Sequence, residues 1–411
     1  MKKILTLAAL AGSTLTAFAQ SGSTVNLYGI VDAGVSRVSG LKSGRDIQMV
    51  SGIMDGSRWG LRGNEDIGNG YRAIFTLENR LELNNGTGSN RPPSGSQVPD
   101  RISKAALLNL PALLQPAVNA VSAGIGAGIG VNLTSNYWDR QAFVGLVTPF
   151  GAVLAGRQYT PAYEVSAFFD TMQTQSSLAA GQVASIPSSI DIRVSNALAY
   201  RAQVGAFSGG LMYTVEAEPS RTTLKGFSAT YKTDPFSVGL GFNTRKNELG
   251  EKSLTSTVLG ASAAIGPGTV SAMVASVKDD HPTSLSTITA TLTPSIGAAN
   301  AALVQSRFIG ALKQNGQLSH IGYRFKFGAN TIYTAYTKFN DKNPNNADVA
   351  SYGAAYSYAF SKRTDVNFAL THFNNMGLAQ AAPGAAGYLG GVTSTAGSDA
   401  NSIALGLRHR F

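Results

Sequence analysis

Apolar and polar side chains alternate along residues 317–327, QLSHIGYRFKF. Ile321 and Tyr323 fall on one side of an extended chain, whereas Arg324 and Lys326 fall on the other. Successive side chains of a β-strand point to opposite faces, so this period of two predicts a strand with one apolar and one polar face.

The same alternation recurs along much of the chain, in residues 225–233, 236–245, 350–360 and 364–374. Each run has roughly the 9–11 residues that a tilted strand needs to cross a bilayer. Strands of soluble proteins are usually about 5–6 residues long. The combination of length and alternation therefore predicts membrane-spanning strands.

Short and long connections take turns between the predicted strands. Seven short turns and eight long loops join sixteen strands. In lipid every backbone N–H and C=O must be paired within the protein, so such a sheet must close on itself. We predict an all-β fold, a transmembrane antiparallel β-barrel of 16 strands that forms one domain over residues 20–411. Its long external loops include the second loop, 84–136, and the third loop, 159–192.

The first residues have the pattern of an export signal. Lys2 and Lys3 precede an apolar run at 4–15, and the small-x-small site at 17–19 comes before Gln20. A basic start, a short apolar segment and a small-residue cleavage site are typical of a secretory signal peptide. We predict a signal peptide over 1–19, export, and a final location in the outer membrane.

Composition excludes several classes of function. The chain has no cysteine, which rules out thiol catalysis and cysteine-based zinc sites. Its formal net charge is +10, but no basic cluster of the nucleic-acid-binding kind is present. The four histidines are isolated and lack the setting of a catalytic base, so we expect no enzyme, no metal and no cofactor. They are His281, His320, His372 and His409.

One apolar stretch, 105–133, does not follow the strand pattern. We interpret it as part of an external loop that folds over a neighbour or into the pore. A membrane-spanning helix is an alternative, although Pro111 and Pro116 argue against it. A disordered insert and an ordered latch are both compatible with the composition.

Six sequence blocks occur in order from the first predicted strand to the last residue. They are VNLYGIVDAG at 25–34, SRWGLRGNEDIGNGYRAIFTLE at 57–78, RQAFVGL at 140–146, GRQYTP at 156–161, SKRT at 361–364 and GLRHRF at 406–411. Together they closely resemble the Gram-negative general porin family, in its β-proteobacterial branch. The long second loop departs from the usual shorter loop of that family.

The resemblance implies several further properties. The barrel would be a homotrimer in outer-membrane lipid, and the third loop would fold inward and narrow the pore. The terminal Phe411 would be part of the signal that the barrel-assembly machinery reads. Alternatively, this aromatic side chain would simply close the barrel seam.

Charged residues on the polar faces suggest how the bore works. We hypothesise a cationic wall that faces two acids of the third loop, and a transverse field between them that sorts ions and orients dipolar solutes. The alternative is that the arginines only hydrogen-bond loop carbonyls. The residues of this predicted constriction are Arg58, Arg62, Arg80, Arg140 and Arg157, with Glu164 and Asp170 opposite.

Alternation also places a second basic set in the bore, namely Arg201, Lys232, Arg245, Arg324 and Lys326. A basic bore concentrates anions, so we predict a passive channel for small hydrophilic solutes and ions with a modest preference for anions. A bore with no net preference is the alternative. A surface adhesin, whose external loops bind a partner, is the alternative function.

Overall fold

The computed structural model describes residues 23–44, 47–90, 98–134, 136–173, 176–184, 191–215, 222–344, 346–383 and 391–411. The predicted signal peptide at 1–19 lies outside these residues.

Strands of one large antiparallel sheet make up most of the described chain. They are β1 (Thr24–Val38), β2 (Ile47–Ser51), β3 (Arg58–Gly68), β4 (Tyr71–Arg80), β5 (Gln141–Thr148), β6 (Gly151–Tyr159), β7 (Arg193–Val204), β8 (Phe207–Thr214), β9 (Thr223–Lys232), β10 (Phe236–Lys246), β11 (Lys252–Ile265), β12 (Gly268–Asp279), β13 (Gln314–Phe327), β14 (Asn330–Asp341), β15 (Val349–Ala359) and β16 (Thr364–Asn375). A separate two-stranded ribbon, β17 (Ala381–Ala382) and β18 (Gly391–Val392), precedes the last strand of the large sheet, β19 (Ala400–Arg410).

The sheet closes because the first strand pairs with the last. β1 and β19 run antiparallel, from Ile30 opposite Arg410 to Val38 opposite Ser402. On its other edge β1 pairs with both β2 and β3, so these two are pieces of a single barrel strand. The ring therefore has sixteen strand positions, which confirms the predicted 16-stranded antiparallel barrel.

Short turns join the strands at one end of the barrel and long connections join them at the other. The turn between β3 and β4 has only two residues outside the strands, Asn69 and Gly70, with φ of 54° and 84°. Positive φ at both positions matches the right-handed twist of a tight hairpin, and asparagine and glycine adopt it most readily.

Large apolar side chains cover the outside of the barrel. On β19, Ile403, Leu405 and Leu407 are each about half exposed, whereas the alternating Ser402 and Ala404 are buried. An apolar outer face and a polar inner face are what a strand needs between lipid and a water-filled bore. Among the described residues, no helix is both long enough and apolar enough to cross a membrane.

The described residues of the segment 160–184, namely 160–173 and 176–184 and here called the inner loop, lie against the inner wall. Its helix α2 (Pro161–Phe169) packs on β9, β10, β11 and β12. The approach is so close that a Cβ on Gly260 would lie 2.2 Å from the Phe169 ring. Glycine at this point of β11 therefore leaves the space that the helix occupies.

Two further long connections contain helices. The one after β4 contains α1 (Gln115–Ala127) after three 3₁₀ turns, and the one after β12 contains α3 (Ile288–Ile296) and α4 (Ala298–Leu312). The apolar stretch for which a spanning helix and a disordered insert were alternatives is thus a set of short helices over most of its length, because its side chains pack against α3 and α4.

Candidate functional site

Five arginines form a row across the inner wall, one from each of the neighbouring strands β3 to β7 or from the residue next to a strand. Arg58 and Arg80 are direct cross-strand partners, and Tyr159 of β6 is paired with Arg193 of β7. The row lies near mid-height, because Arg58 is opposite Ile30 in the middle of β1. We call Arg58, Arg80, Arg140, Arg157 and Arg193 the arginine row.

Glu78 is the acid at the centre of the row. Its carboxylate accepts a 2.8 Å hydrogen bond from Arg140 Nε and a 3.1 Å bond from the Tyr28 hydroxyl, and it lies 3.6 Å from Arg58 Nε. The residue is only 3 % exposed. One buried carboxylate therefore orients two guanidinium groups in the same plane of the bore.

Asp139 binds the other half of the row. Its carboxylate accepts hydrogen bonds from the backbone N–H and from Nε of Arg80, at 2.9 and 3.4 Å. Its carbonyl oxygen accepts a 2.6 Å bond from Arg157 Nε. Arg80 also reaches Glu82 at 3.2 Å, so this arginine is held between two acids.

The remaining two arginines of the row donate to neutral oxygen atoms in the part of the chain that the structure describes. Arg157 donates to the Asp139 carbonyl and to Ser195 Oγ, and Arg193 donates to the Tyr159 hydroxyl at 2.9 Å. Five guanidinium groups thus share four carboxylates, those of Asp55, Glu78, Glu82 and Asp139. The row keeps a surplus of positive charge toward the bore.

Arg62, a member of the predicted constriction, lies outside the row. It is four residues further along β3 than Arg58, and its guanidinium stacks 3.9 Å over the Tyr28 ring. A cation over an aromatic face is a stable arrangement that holds the side chain against the wall.

The two acids expected to face the arginines make other contacts. Glu164 of α2 forms an ion pair with Arg201 of β7. Asp170 is 2 % exposed and follows α2, where its carboxylate accepts hydrogen bonds from the backbone N–H groups of Met172 and Ala180. The Asp170 carboxylate is therefore used to fold the inner loop itself, and its place opposite the cationic wall stays a prediction.

The second basic set has mixed surroundings. Arg201 is paired with Glu164, and Arg245 with Asp191 at 2.9 Å. Lys232 lies over the Phe168 ring of the inner loop at 5.6 Å. Arg324 and Lys326 share the face of β13 that carries Gly322, whose Cα lies against Thr171 of the inner loop, and both are exposed.

A buried aspartate positions the chain that leads into Arg58. Asp32 of β1 accepts hydrogen bonds from the backbone N–H groups of Ile53, Met54 and Asp55, at 3.1, 2.8 and 2.7 Å. These bonds fix the break between β2 and β3. Asp55 in turn lies 3.4 Å from Arg58, so the break places both an acid and an arginine at the row.

Sequence reasoning missed Arg193 and the roles of Glu78 and Asp139. Glu78 lies on the same polar face of β4 as Arg80, two residues away, so alternation could have placed it beside the row. Arg193 begins a strand directly after a long loop and carries no motif. Asp139 lies just before β5, where no strand period defines a face.

The comparison with known families matches almost the whole chain. Residues 6–378 match the family model described as Gram-negative porin. The chain belongs to the Gram-negative porin family.

Individual relatives agree with this assignment. An outer membrane porin protein of Bordetella pertussis is 26 % identical in an alignment of 312 residues that covers 58 % of this chain and 81 % of that protein. The anion-selective porin from Comamonas acidovorans has a similar fold, with a TM-score of 0.69 at 20 % identity over 95 % of this chain and 100 % of that one. The trimer form of OmpT from Vibrio cholerae gives a TM-score of 0.59 at 13 % identity, again over 95 % and 100 %.

The predicted family, barrel fold and location are thus confirmed. This porin is an outer-membrane channel protein. In the described part of the barrel, the arginine row lies on the wall formed by β3 to β7, and helix α2 of the inner loop packs on β9 to β12.

Proposed function

We propose that this porin passes small hydrophilic solutes and ions by passive diffusion, without a catalytic step, and that it prefers anions. The observation that carries the proposal is the surplus of positive charge in the arginine row. A line of cations on the wall of a bore with low-dielectric walls raises the local concentration of anions and lowers that of cations. The structurally similar anion-selective porin from Comamonas acidovorans supports the same sign.

The reversal potential in a KCl gradient across a planar bilayer tests this proposal. We expect the sign of an anion-preferring channel, with a magnitude that falls as total salt rises, because mobile ions screen the row. A cation-preferring sign would overturn the proposal.

Two substitutions assign the preference to the row. Arg157→Gln and Arg193→Gln each remove a cation that donates to neutral oxygens, so neither leaves a carboxylate without its ion-pair partner. We expect each to reduce the anion preference about twofold or more, since the local field sums over few charges. Lys225→Gln is the matched control, because Lys225 lies on the outer wall over the Tyr213 ring and loses the same charge. If Lys225→Gln reduced the anion preference equally, the arginine row would not be the cause of that preference.

We propose that Phe411 is part of the assembly signal. Its backbone also exchanges two 3.1 Å hydrogen bonds with Gly29, and its ring lies against the same glycine, so it closes the seam as well. Deletion of Phe411 separates the two roles. A signal role predicts poor assembly in cells but normal refolding in detergent, where the assembly machinery is absent. A purely structural role predicts that assembly in cells and refolding in detergent are impaired equally, and that the thermal stability of the barrel falls.

We also propose that residues 1–19 are removed on export and that the barrel is a homotrimer. Intact mass of the purified protein tests the first, with a mature chain that begins at Gln20 as the expected result. Light scattering in detergent tests the second. The support for a trimer is the family resemblance and the trimer form of the Vibrio cholerae relative.

A further inference from the structure

A helical cap forms from two loops that are far apart in sequence. We define it as residues 98–129 after β4 and 285–312 after β12. The two segments share one apolar core, in which Ile102, Val118, Val304 and Phe308 are each essentially unexposed. The buried members of this core come from the loops alone, and no barrel strand contributes one among the described residues. They are Val98, Ile102, Ala105, Leu108, Leu110, Leu114, Ala117, Val118, Ile129, Leu285, Ile288, Leu292, Ala301, Val304, Phe308 and Leu312.

The two loops leave the rim at opposite points of the barrel. Counting β2 and β3 as one strand, the first loop lies between the third and fourth strand positions and the second between the eleventh and twelfth. In a closed ring of sixteen strands, eight positions are half of the circumference. The shared core therefore joins segments whose ends are as far apart as the barrel permits.

Contacts at the start of the cap show that it lies over the bore. Pro99 and Arg101 line one cleft together with Val183 of the inner loop. Val183 is 3 % exposed and belongs to the cluster that the inner loop makes with the inner wall. A segment that shares a cleft with the inner loop lies above the lumen and not outside the rim.

An ionic clamp fixes the cap to the loops beside the seam. Asp100 accepts a 2.9 Å bond from Lys42 and a 2.7 Å contact from Lys104, and its backbone N–H donates to the side chain of Gln380. Burial raises the pKa of Asp100, but the bonds from Lys104 and Lys42 outweigh it and hold the pKa below its ordinary value. The carboxylate thus stays charged, and the clamp closed, at neutral pH.

From this arrangement we propose that the helical cap is a second size filter, at the external mouth and in series with the arginine row. Bulky solutes must pass beside the cap before they reach the bore, whereas small ions are sorted further in. The inference rests on the proposed channel function, but it concerns the size of solutes, while the row concerns their charge. An experiment can therefore refute either proposal, the size filter or the anion preference, while the other stands.

A pair of aspartate substitutions tests the filter. Val118→Asp places a charge in the cap core, where Val118 is unexposed, and should disorder the cap. Leu113→Asp is the matched control, because Leu113 is on the same loop, is 75 % exposed and receives the same charge. Liposome swelling with arabinose, sucrose, raffinose and stachyose measures the result. We expect the stachyose-to-arabinose ratio to rise about threefold or more in Val118→Asp, since the open width of a pore governs entry of large solutes, and to stay unchanged in the control.

A loop deletion keeps the test sharp if Val118→Asp assembles poorly. Asp279 and Gln314 are direct cross-strand partners, so a short glycine–serine turn can replace residues 281–312 without strain on β12 or β13. Heat-modifiable gel mobility reports whether the barrel is closed. Wild-type size ratios in a closed deletion variant would overturn the filter. An unchanged reversal potential with altered size ratios would confirm that the cap and the row act separately.

Discussion

Single buried side chains set the geometry of the arginine row. Glu78 contacts Arg58, Arg140 and Tyr28, and Asp32 fixes the break in the second barrel strand. Removing a buried acid from such a set leaves its cationic partners uncompensated, which costs about 3–5 kcal/mol in other proteins. The row is therefore held by few residues, and each can be tested alone.

Substitution of Glu78 separates the effect of its charge on ion preference from the effect of its contacts on thermal stability. Glu78→Gln removes one negative charge from the bore, so we expect a larger anion preference together with a lower thermal unfolding temperature. Reversal potential and heat-modified gel mobility measure the two effects. Glu65→Gln, at an exposed position near the opposite end of β3, removes the same charge and should change neither. A lower anion preference in Glu78→Gln would contradict the account of the row.

The sequence could predict some residues of the site but not others. Alternation places Arg58 and Arg80 on polar faces, because a strand allows only two directions for a side chain. It says nothing about Asp170, which lies in a loop whose path depends on contacts with Met172 and Ala180 nearby in sequence and with distant strands. Strand residues inside an alternating run, such as Arg58 and Arg80, were therefore accessible from sequence, whereas the loop residue Asp170 and the strand-start residue Arg193 were not.

At the level of secondary-structure elements, the position of the inner loop depends on small residues in the strands against which it packs. Its helix α2 lies on β10 and β11, where Gly241 and Gly260 leave room for Ala162 and Phe169. The surrounding strands carry larger side chains on their outer faces, where lipid imposes no such limit. The strand pattern predicts the wall, but the seat for the helix appears only when the loop is placed against it.

A close-packed pair tests this seat. Gly260→Ala would bring a Cβ within 2.2 Å of the Phe169 ring, so we expect α2 to shift and the single-channel conductance to change. Phe169→Ala in the same chain should restore the conductance toward that of Phe169→Ala alone. Gly310→Ala is the control, because a Cβ there has open space within 4 Å. Additive effects of the two changes at the seat would show that they do not act through contact.

The helices of the cap could not be predicted from the alternation of apolar and polar residues that identifies the strands. An apolar run at 105–133 was visible, but its partner at 285–312 lies more than 150 residues away and shares no motif with it. Core packing between two loops is a tertiary property, and only closure of the ring brings their ends to opposite points of the same rim. The whole barrel was predictable because lipid demands closure, whereas the cap is an addition that this demand does not determine.

The whole molecule combines a sealed wall, a cationic row and an external cap. The pairing of β1 with β19 gives the backbone N–H and C=O groups of these two strands their hydrogen-bond partners. The polar face of the closed sheet then surrounds a water-filled bore. Positive charge at mid-height is proposed to select by sign, and the cap is proposed to select by size. Each property is assigned to a different set of residues, so variants can change one and leave the others intact.

Single-channel recording in a planar bilayer tests the central claim most directly. The account predicts stepwise openings in symmetrical KCl and, in a KCl gradient, a reversal potential with the sign of anion preference. A reconstituted barrel, closed by its gel mobility, that gives no steps or carries mainly cations would contradict it.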